Sequence, residues 1–384
     1  MKTGTLTCGL VCFAILAALL ICGCGGAQGG PVSAEEADPY FVNFCSDCVK
    51  IGGDMIFLDQ YGPGGRRLWT AEASGGAAMP LCGKPECTHD SASCNAFVGG
   101  TGDICLTYDS GRLYWIESAG TRCTLYSAEI DGSDRRTEAE PDAALYAKVC
   151  GYGTLCIHDG YAYFCGSAER VENGTSVFDC AVFRQPLGGG SAEPIYSSTL
   201  PAGAVFGRFR GDKLYFAECE RLSAYAEEDD EEPTLGYRLF VYDPASGKAE
   251  ELLHGVNEYD FSYIFTDEDR VVLGGSRPLY YCPETGETRL DDGEGRLDAG
   301  VGCGMHWITR SEWEIVSDSG ETLFAGSFPL PRMPEALYGR SYIGCDGGAF
   351  YYSFISFSFD KPLSFILRFD TATGEAGIVW QSEG

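Results

Sequence analysis

What most constrains this chain is a short burst that returns seven times along it: glycine or aspartate, one or two variable residues, then two or three large apolar side chains. The clear copies are Gly53-Asp-Met-Ile-Phe57, Gly111-Arg-Leu-Tyr-Trp115, Gly160-Tyr-Ala-Tyr-Phe164 and Asp212-Lys-Leu-Tyr-Phe216. Weaker copies follow at Asp269-Arg-Val-Val-Leu273, Gly304-Met-His-Trp-Ile308 and Gly347-Gly-Ala-Phe-Tyr351. Each burst is too short and too aromatic for an amphipathic helix and reads as a buried strand entered through a turn.

A second element accompanies the first: a strand, a tight turn ending in glycine, and a return strand. It spans Arg67–Leu81, Thr124–Arg136, Val182–Ile195, Arg238–Leu253, Pro278–Leu290, Glu312–Ala325 and Phe365–Trp380. Glycine is required where the chain reverses through positive φ, and Asp or Thr supplies the local hydrogen bonds. An upstream strand precedes most copies, at Ile104, Leu155, Val205, Ser262 and Ser341.

The burst starts at 53, 111, 160, 212, 269, 304 and 347 step by 58, 49, 52, 57, 35 and 43 residues. A four-stranded propeller blade takes about 40–50 residues, so these steps fit blades joined by loops of variable length. The expected fold is therefore all-β, a propeller of seven four-stranded blades. Six or eight blades are the alternatives, because the copies near 53 and 304 are poor, and a sandwich array is the rival architecture. Radial closure is favoured because it hides sheet edges that a linear array leaves open.

The turns Tyr242-Asp243…Ser246-Gly247 and Phe369-Asp370…Thr373-Gly374, with the cysteine segment below, resemble those of uncharacterised propeller lipoproteins of anaerobic Gram-positive bacteria, whose blades are of the WD-repeat, YVTN and quinoprotein type. The resemblance covers nearly the whole mature chain and implies a fold, not an activity.

The N-terminus reads as an address. Lys2 precedes the 13-residue apolar run Leu10–Cys22, which is too short to cross a hydrocarbon core of about 30 Å and fits a signal-peptide core. The run ends in Ile21-Cys22-Gly23-Cys24, which resembles the bacterial lipobox and implies cleavage before Cys24 and lipid attachment to its sulfur. Ordinary secretion is the alternative. The expected organisation is a signal peptide at 1–23, a Gly/Ala/Ser/Pro tether at 24–39, and the propeller at 40–384. That places the protein on the outer face of the cytoplasmic membrane, anchored in the lipid bilayer. Carboxylates number 56 against 27 basic side chains, a net charge of −29, which argues against nucleic acid as a partner.

The most specific local feature is Cys82-Gly-Lys-Pro-Glu-Cys87-Thr-His89-Asp-Ser-Ala-Ser-Cys94. Cys82, Cys87, His89 and Cys94 are candidate ligands of a structural zinc ion, since three thiols and an imidazole can complete a tetrahedron. One disulfide with a leftover thiol is an equal contender in an exported protein, and unpaired thiols are a third reading. Of the 19 cysteines, four lie in the signal and anchor; the remaining 15 cannot all pair within one chain. Cys45-Ser-Asp-Cys48 lacks a thioredoxin-type context, and Cys105, Cys156, Cys345 and Cys45 fall on expected innermost strands, where cysteine packs as a small apolar residue.

No catalytic residue is identified. The other histidines, His158, His254 and His306, are read as structural, and the carboxylate run Glu227–Glu232 as a solvated loop tip. The expected function is a binding or scaffolding module for a peptide, glycan or envelope protein, with its site at the mouth of the propeller channel. The alternatives are a glycan-active hydrolase or lyase using the same mouth, and a structural subunit of an envelope complex.

Overall fold

The computed structural model describes residues 48–59, 66–99, 104–119, 122–140, 148–149, 155–172, 175–198, 204–219, 235–257, 261–275, 277–291, 297–309, 312–327, 338–356 and 363–382. Their regular structure is entirely β, in seven antiparallel sheets that form a seven-bladed propeller. From the innermost strand outward, blade 1 comprises Cys48–Ile51, Asp54–Asp59, Arg67–Glu72 and Met79–Pro80, and blade 2 comprises Ile104–Asp109, Arg112–Ala119, Arg122–Glu129 and Arg136–Ala139. Blade 3 comprises Leu155–His158, Tyr161–Glu172, Thr175–Pro186 and Glu193–Ser197, with the short strand Lys148–Val149 added against its second strand. Blade 4 comprises Ala204–Arg210, Lys213–Cys219, Leu235–Asp243 and Lys248–Asn257, and blade 5 comprises Phe261–Thr266, Val271–Gly275, Leu279–Tyr281 and Thr288–Leu290. Blade 6 comprises Leu297–Ala299, Cys303–Trp307, Glu312–Ser317 and Thr322–Ser327, and blade 7 comprises Tyr338–Cys345, Ala349–Ser356, Leu363–Asp370 and Ala376–Gln381.

Every repeated burst is the second strand of a blade or the turn into it. These strands do not alternate apolar and polar, because both faces of each sheet are covered by neighbouring blades. Lys213–Cys219 is buried at every position after its first residue. Within a sheet aromatic rings stack between paired strands: Phe216 lies parallel to Phe240 at 5.0 Å in blade 4, and Phe354 to Phe365 at 5.0 Å in blade 7. Buried apolar clusters straddle the junctions of blades 2 and 3, 3 and 4, 4 and 5, 5 through 7, and 7 and 1. The outer strands face solvent, as in Thr322–Ser327.

The glycine-ended turns between third and fourth strands are built alike. Asp243 Oδ1 accepts from the amides of Ala245 (2.8 Å) and Ser246 (3.4 Å), and Asp370 Oδ1 from those of Ala372 (2.9 Å) and Thr373 (2.8 Å). Gly247 (φ 67°) and Gly374 (φ 71°) then close each turn by donating to the Asp243 and Asp370 carbonyls.

Two innermost strands escape a sequence reading. One is Cys48–Ile51, so the inner-strand cysteine is Cys48; Cys45 lies outside the described residues, as does Glu227–Glu232. The other is Leu297–Ala299, three residues broken in the middle by Asp298, whose buried carboxylate accepts from Tyr352 OH at 3.0 Å. Cys105, Cys156 and Cys345 do lie on innermost strands, and Cys345 is fully buried.

Each sheet is a run of consecutive strands, so among the described residues no strand is exchanged between the first and last blades. The ring closes by side chains. Met55 and Phe57 of blade 1 pack with Ile343, Tyr351 and Trp380 of blade 7, and Phe57 lies 4.7 Å from Trp380. Across the same junction Lys50 Nζ sits 3.1 Å from Asp346 Oδ2, both side chains only 11% exposed.

Candidate metal centre

The connection from blade 1 to blade 2 contains the cysteine segment. It leaves blade 1 at Leu81, whose amide donates to Leu68 O (2.9 Å), and returns to the same edge, where Leu68 N donates to Ala96 O (2.8 Å) and Val98 N to Arg66 O (3.1 Å). Leu81, Cys94, Ala96 and Val98 are buried and anchor the two ends. Between Gly83 and Ser93 every residue is exposed except two, Cys87 and His89. The loop therefore has no apolar core of its own; the side chains it turns inward are the candidate ligands.

One donor atom from each of Cys82, Cys87, His89 and Cys94 lies within 4.8 Å of all the others. Zinc–sulfur bonds of about 2.3 Å and zinc–nitrogen bonds of about 2.0 Å at tetrahedral angles place donors roughly 3.5–3.8 Å apart. His89 Nδ1 is 3.3 Å from Cys94 Sγ. His89 has φ 57°, a left-handed conformation uncommon for a side-chain-bearing residue, and it is this turn that carries the imidazole toward the thiols. Local turns complete the frame: Cys87 N donates to Lys84 O (3.2 Å), Cys94 N to Ser91 O (3.0 Å), and Lys84 Nζ to Ser93 O.

The sulfurs sit in unlike surroundings. Partial burial works to raise the Cys82 thiol, but the Lys84 and Asn95 backbone amides and the neighbouring thiols outweigh it and hold its pKa below the ordinary cysteine value. Burial pushes Cys94 up to about 11, opposed by the Ala96 amide. Each of these two sulfurs thus meets the amide two residues further on, a contact that would hold a thiolate in a fixed direction toward an ion. The core cysteines differ: burial alone pushes Cys123 up to about 12, as expected of an inert packed thiol. None of the 13 described cysteines is in a disulfide.

The seam beneath the loop carries a charged hub that the sequence did not advertise. Glu117, 7% exposed, accepts from Trp115 Nε1 (2.9 Å) and pairs with Arg135 (3.0 Å). Arg135 also donates to Phe97 O at the end of the cysteine loop and stacks over Trp115 and Tyr126 at 5.0 and 4.6 Å. Glu218 holds the equivalent position in blade 4, fully buried beside Tyr196 OH and 3.6 Å from Arg238. The only trace of either in the sequence is an acid at the end of an apolar burst, as in Arg112–Glu117 and Lys213–Glu218.

One cleft among the described residues, of about 550 Å³, is lined by Tyr280, Tyr281, Arg270, Arg289 and Asp318, with both guanidinium groups against the Tyr280 ring at 5.2 and 4.5 Å. Burial pushes the Tyr280 phenol up to about 12. Another, of about 490 Å³, is lined by Lys84, Pro85, Glu86, Cys87 and Ser93 beside the candidate ligands. His158 stacks on Phe209 at 4.3 Å, and His306 pairs with Glu314. His254 is part of the outermost strand of blade 4 and bonds Glu251 at 2.9 Å.

No family model and no curated protein matches this chain. Solved structures do. A prolyl endopeptidase matches with a TM-score of 0.52 at 12% identity, covering 99% of this chain and 55% of its own. A puromycin-hydrolyzing peptidase of Mycobacterium tuberculosis matches with a TM-score of 0.50 at 12% identity, covering 91% and 55%. The β-propeller domain of the Trilobed protease from Pyrococcus furiosus, described as an open velcro topology, matches with a TM-score of 0.50 at 10% identity, covering 90% and 99%. At such identities the likeness is one of fold. The chain spans about half the length of the two peptidases, 55% in each case, and nearly all, 99%, of the propeller domain.

Proposed function

We propose that this chain is a lipid-anchored, extracytoplasmic propeller that serves as a binding or scaffolding module, related to the propeller lipoproteins it resembles and stiffened by one structural zinc ion. The anchor is Cys24, the membrane is the lipid bilayer it enters, and the ligand is a peptide, glycan or envelope protein rather than nucleic acid. The observation that carries the reading is the lipobox-like Ile21-Cys22-Gly23-Cys24 with a Gly/Ala/Ser/Pro segment after it, ahead of a ring whose blades begin by Cys48. Support for recognition comes from the cleft of Tyr280, Tyr281, Arg270 and Arg289, because tyrosine and arginine are the types enriched where proteins meet partners. The exposed apolar residues Met79, Val256, Leu290, Leu323 and Ile378 sit on the outermost strands of five different blades, a scatter that fits a ligand site better than a broad docking edge.

The donor set supports zinc: four protein ligands would close a structural site and leave no open position for catalysis. Cells fed radiolabelled fatty acid should label the protein, and Cys24→Ala should abolish the label; label that persists refutes the anchor. Full-length protein in lipid nanodiscs, screened on glycan and peptide arrays, should bind a ligand that is recovered intact. A ligand recovered cleaved would make the protein an enzyme.

A further inference from the structure

We propose that metal bound by Cys82, Cys87, His89 and Cys94 is a clasp between blades 1 and 2, so that occupancy sets the stability of one seam of the ring. The inference rests on the zinc reading and adds what the ion does.

Both ends of the metal loop are stitched to blade 1, through Leu81 N to Leu68 O, Leu68 N to Ala96 O and Val98 N to Arg66 O. Its other side meets blade 2. The turn of blade 2 crosses the loop so closely that a Cβ on Gly132 would stand 2.2 Å from Leu81 O, and one on Gly83 3.4 Å from Asp131 Oδ2. Arg135 reaches from the same turn to Phe97 O while pairing with Glu117 in the second strand of blade 2. The loop is thus interposed between the two sheets, its backbone on one and its surface on the other.

Nothing apolar holds the middle of that loop together. From Gly83 to Ser93 only Cys87 and His89 are turned away from solvent, and His89 does so in a left-handed conformation that needs surrounding support. A chain segment of this kind is ordered by its ligand bonds, and its folding free energy is its metal-binding free energy. With the metal removed, the donors lose the centre that gathers them, and the contacts of Leu81, Asp131 and Phe97 loosen with them. Seams elsewhere rest on buried apolar clusters, such as the one joining Tyr163 and Val182 of blade 3 to Phe216 and Phe240 of blade 4, and stand without the ion.

The test is amide hydrogen exchange on the full-length protein, purified under reductant, with metal content measured first. The protein is then stripped with a chelator and reloaded with zinc. Zinc held at about 100 times its dissociation constant slows any opening that releases it about a hundredfold. Stripping should therefore speed exchange strongly in residues 66–68, 81–98 and 131–135, zinc should restore it, and residues 213–219 and 235–257 of blade 4 should change less than about twofold. Cys87→Ser should mimic stripping without added chelator. Stoichiometric zinc with faster exchange confined to 82–94 overturns the clasp and leaves the metal site standing. Uniform acceleration over all seven blades also overturns it, since the ion would then govern the whole fold. Protein that neither retains nor takes up zinc, or that maps with a disulfide from Cys82 to Cys87 or Cys94, overturns the metal site and the clasp together.

Discussion

Closure of the ring between blades 7 and 1 depends on side chains, and Asp346→Asn tests how strongly. Asp346 Oδ1 accepts from the amides of Gly348 (2.9 Å) and Ala349 (2.7 Å), while Oδ2 faces Lys50 Nζ (3.1 Å) and Tyr351 OH (3.2 Å). Asparagine keeps the oxygen that serves the turn and removes the charge that serves the junction. A surface pair contributes about 0–1 kcal/mol and breaking a fully buried one costs about 3–5 kcal/mol. With both side chains 11% exposed, the loss should fall at about 2–3 kcal/mol. Unfolding entropy near 2.1 cal/mol/K per residue over roughly 330 residues is about 0.7 kcal/mol/K, so Tm should drop by about 3–4 °C. Thermal unfolding followed by circular dichroism reads this directly. Lys50→Met in the same background should show a coupling of about 1–2 kcal/mol, whereas a cycle on Arg184 and Glu193, whose side chains are 23% and 55% exposed, should show under about 0.5 kcal/mol. A Tm within about 1 °C of the parent, or additive single variants, would refute closure through this pair.

Gly132→Ala and Gly111→Ala both place a Cβ at positive φ (75° and 87°), but only at Gly132 does that atom meet backbone, 2.2 Å from Leu81 O. Gly111→Ala should cost about 1 kcal/mol and Gly132→Ala about 3 kcal/mol or more, read from denaturant midpoints; equal losses would deny the contact between the metal loop and blade 2. Acid should weaken the turn of blade 7. Burial works to raise the Asp370 carboxyl, but the amides of Thr373 and Ala372 and the Arg368 guanidinium outweigh it and hold the pKa at about 2. A depressed carboxylate stabilises the fold above its unfolded pKa of about 3.9 and loses that contribution as pH falls through its folded value, so Asp370→Asn should flatten the stability profile between about pH 4 and pH 2. An unchanged profile would remove Asp370 from the acid response.

The blades were legible because their determinants are short-range. A strand buried on both faces needs consecutive apolar residues, and a reversal through positive φ needs glycine, so Lys213–Cys219 and the turn at Asp243–Gly247 announce themselves within a few residues. The inner strands Cys48–Ile51 and Leu297–Ala299 did not, being four and three residues long, the second interrupted by Asp298. For such strands the partner supplies the definition: Leu297–Ala299 is a strand because His306, Met305 and Gly304 pair with it.

The candidate metal centre was half legible. Three cysteines and a histidine crowded into 13 residues identify the candidates, since chain proximity alone brings them within reach. Spacing does not decide between thiolates around an ion and a disulfide. The structure adds the left-handed His89 and the amides that face Cys82 and Cys94, both consequences of how the loop is pinned to blade 1. The buried acids were least legible. Glu117 and Glu218 look like strand ends until Arg135 and Arg238 are found beside them, 18 and 20 residues away.

By itself, then, the amino-acid sequence determined the repeating unit and the set of sulfur and imidazole donors and pointed to seven blades, because strand burial, turn geometry and local clustering are settled within about ten residues of chain. Tertiary structure alone decided what the blades do to one another: that Lys50 meets Asp346 across nearly 300 residues, that Arg135 ties Glu117 to Phe97, and that the cysteine loop lies between two sheets. Those approaches depend on how twisted sheets pack side by side, and no local pattern encodes the separation of residues that meet only when the ring is complete.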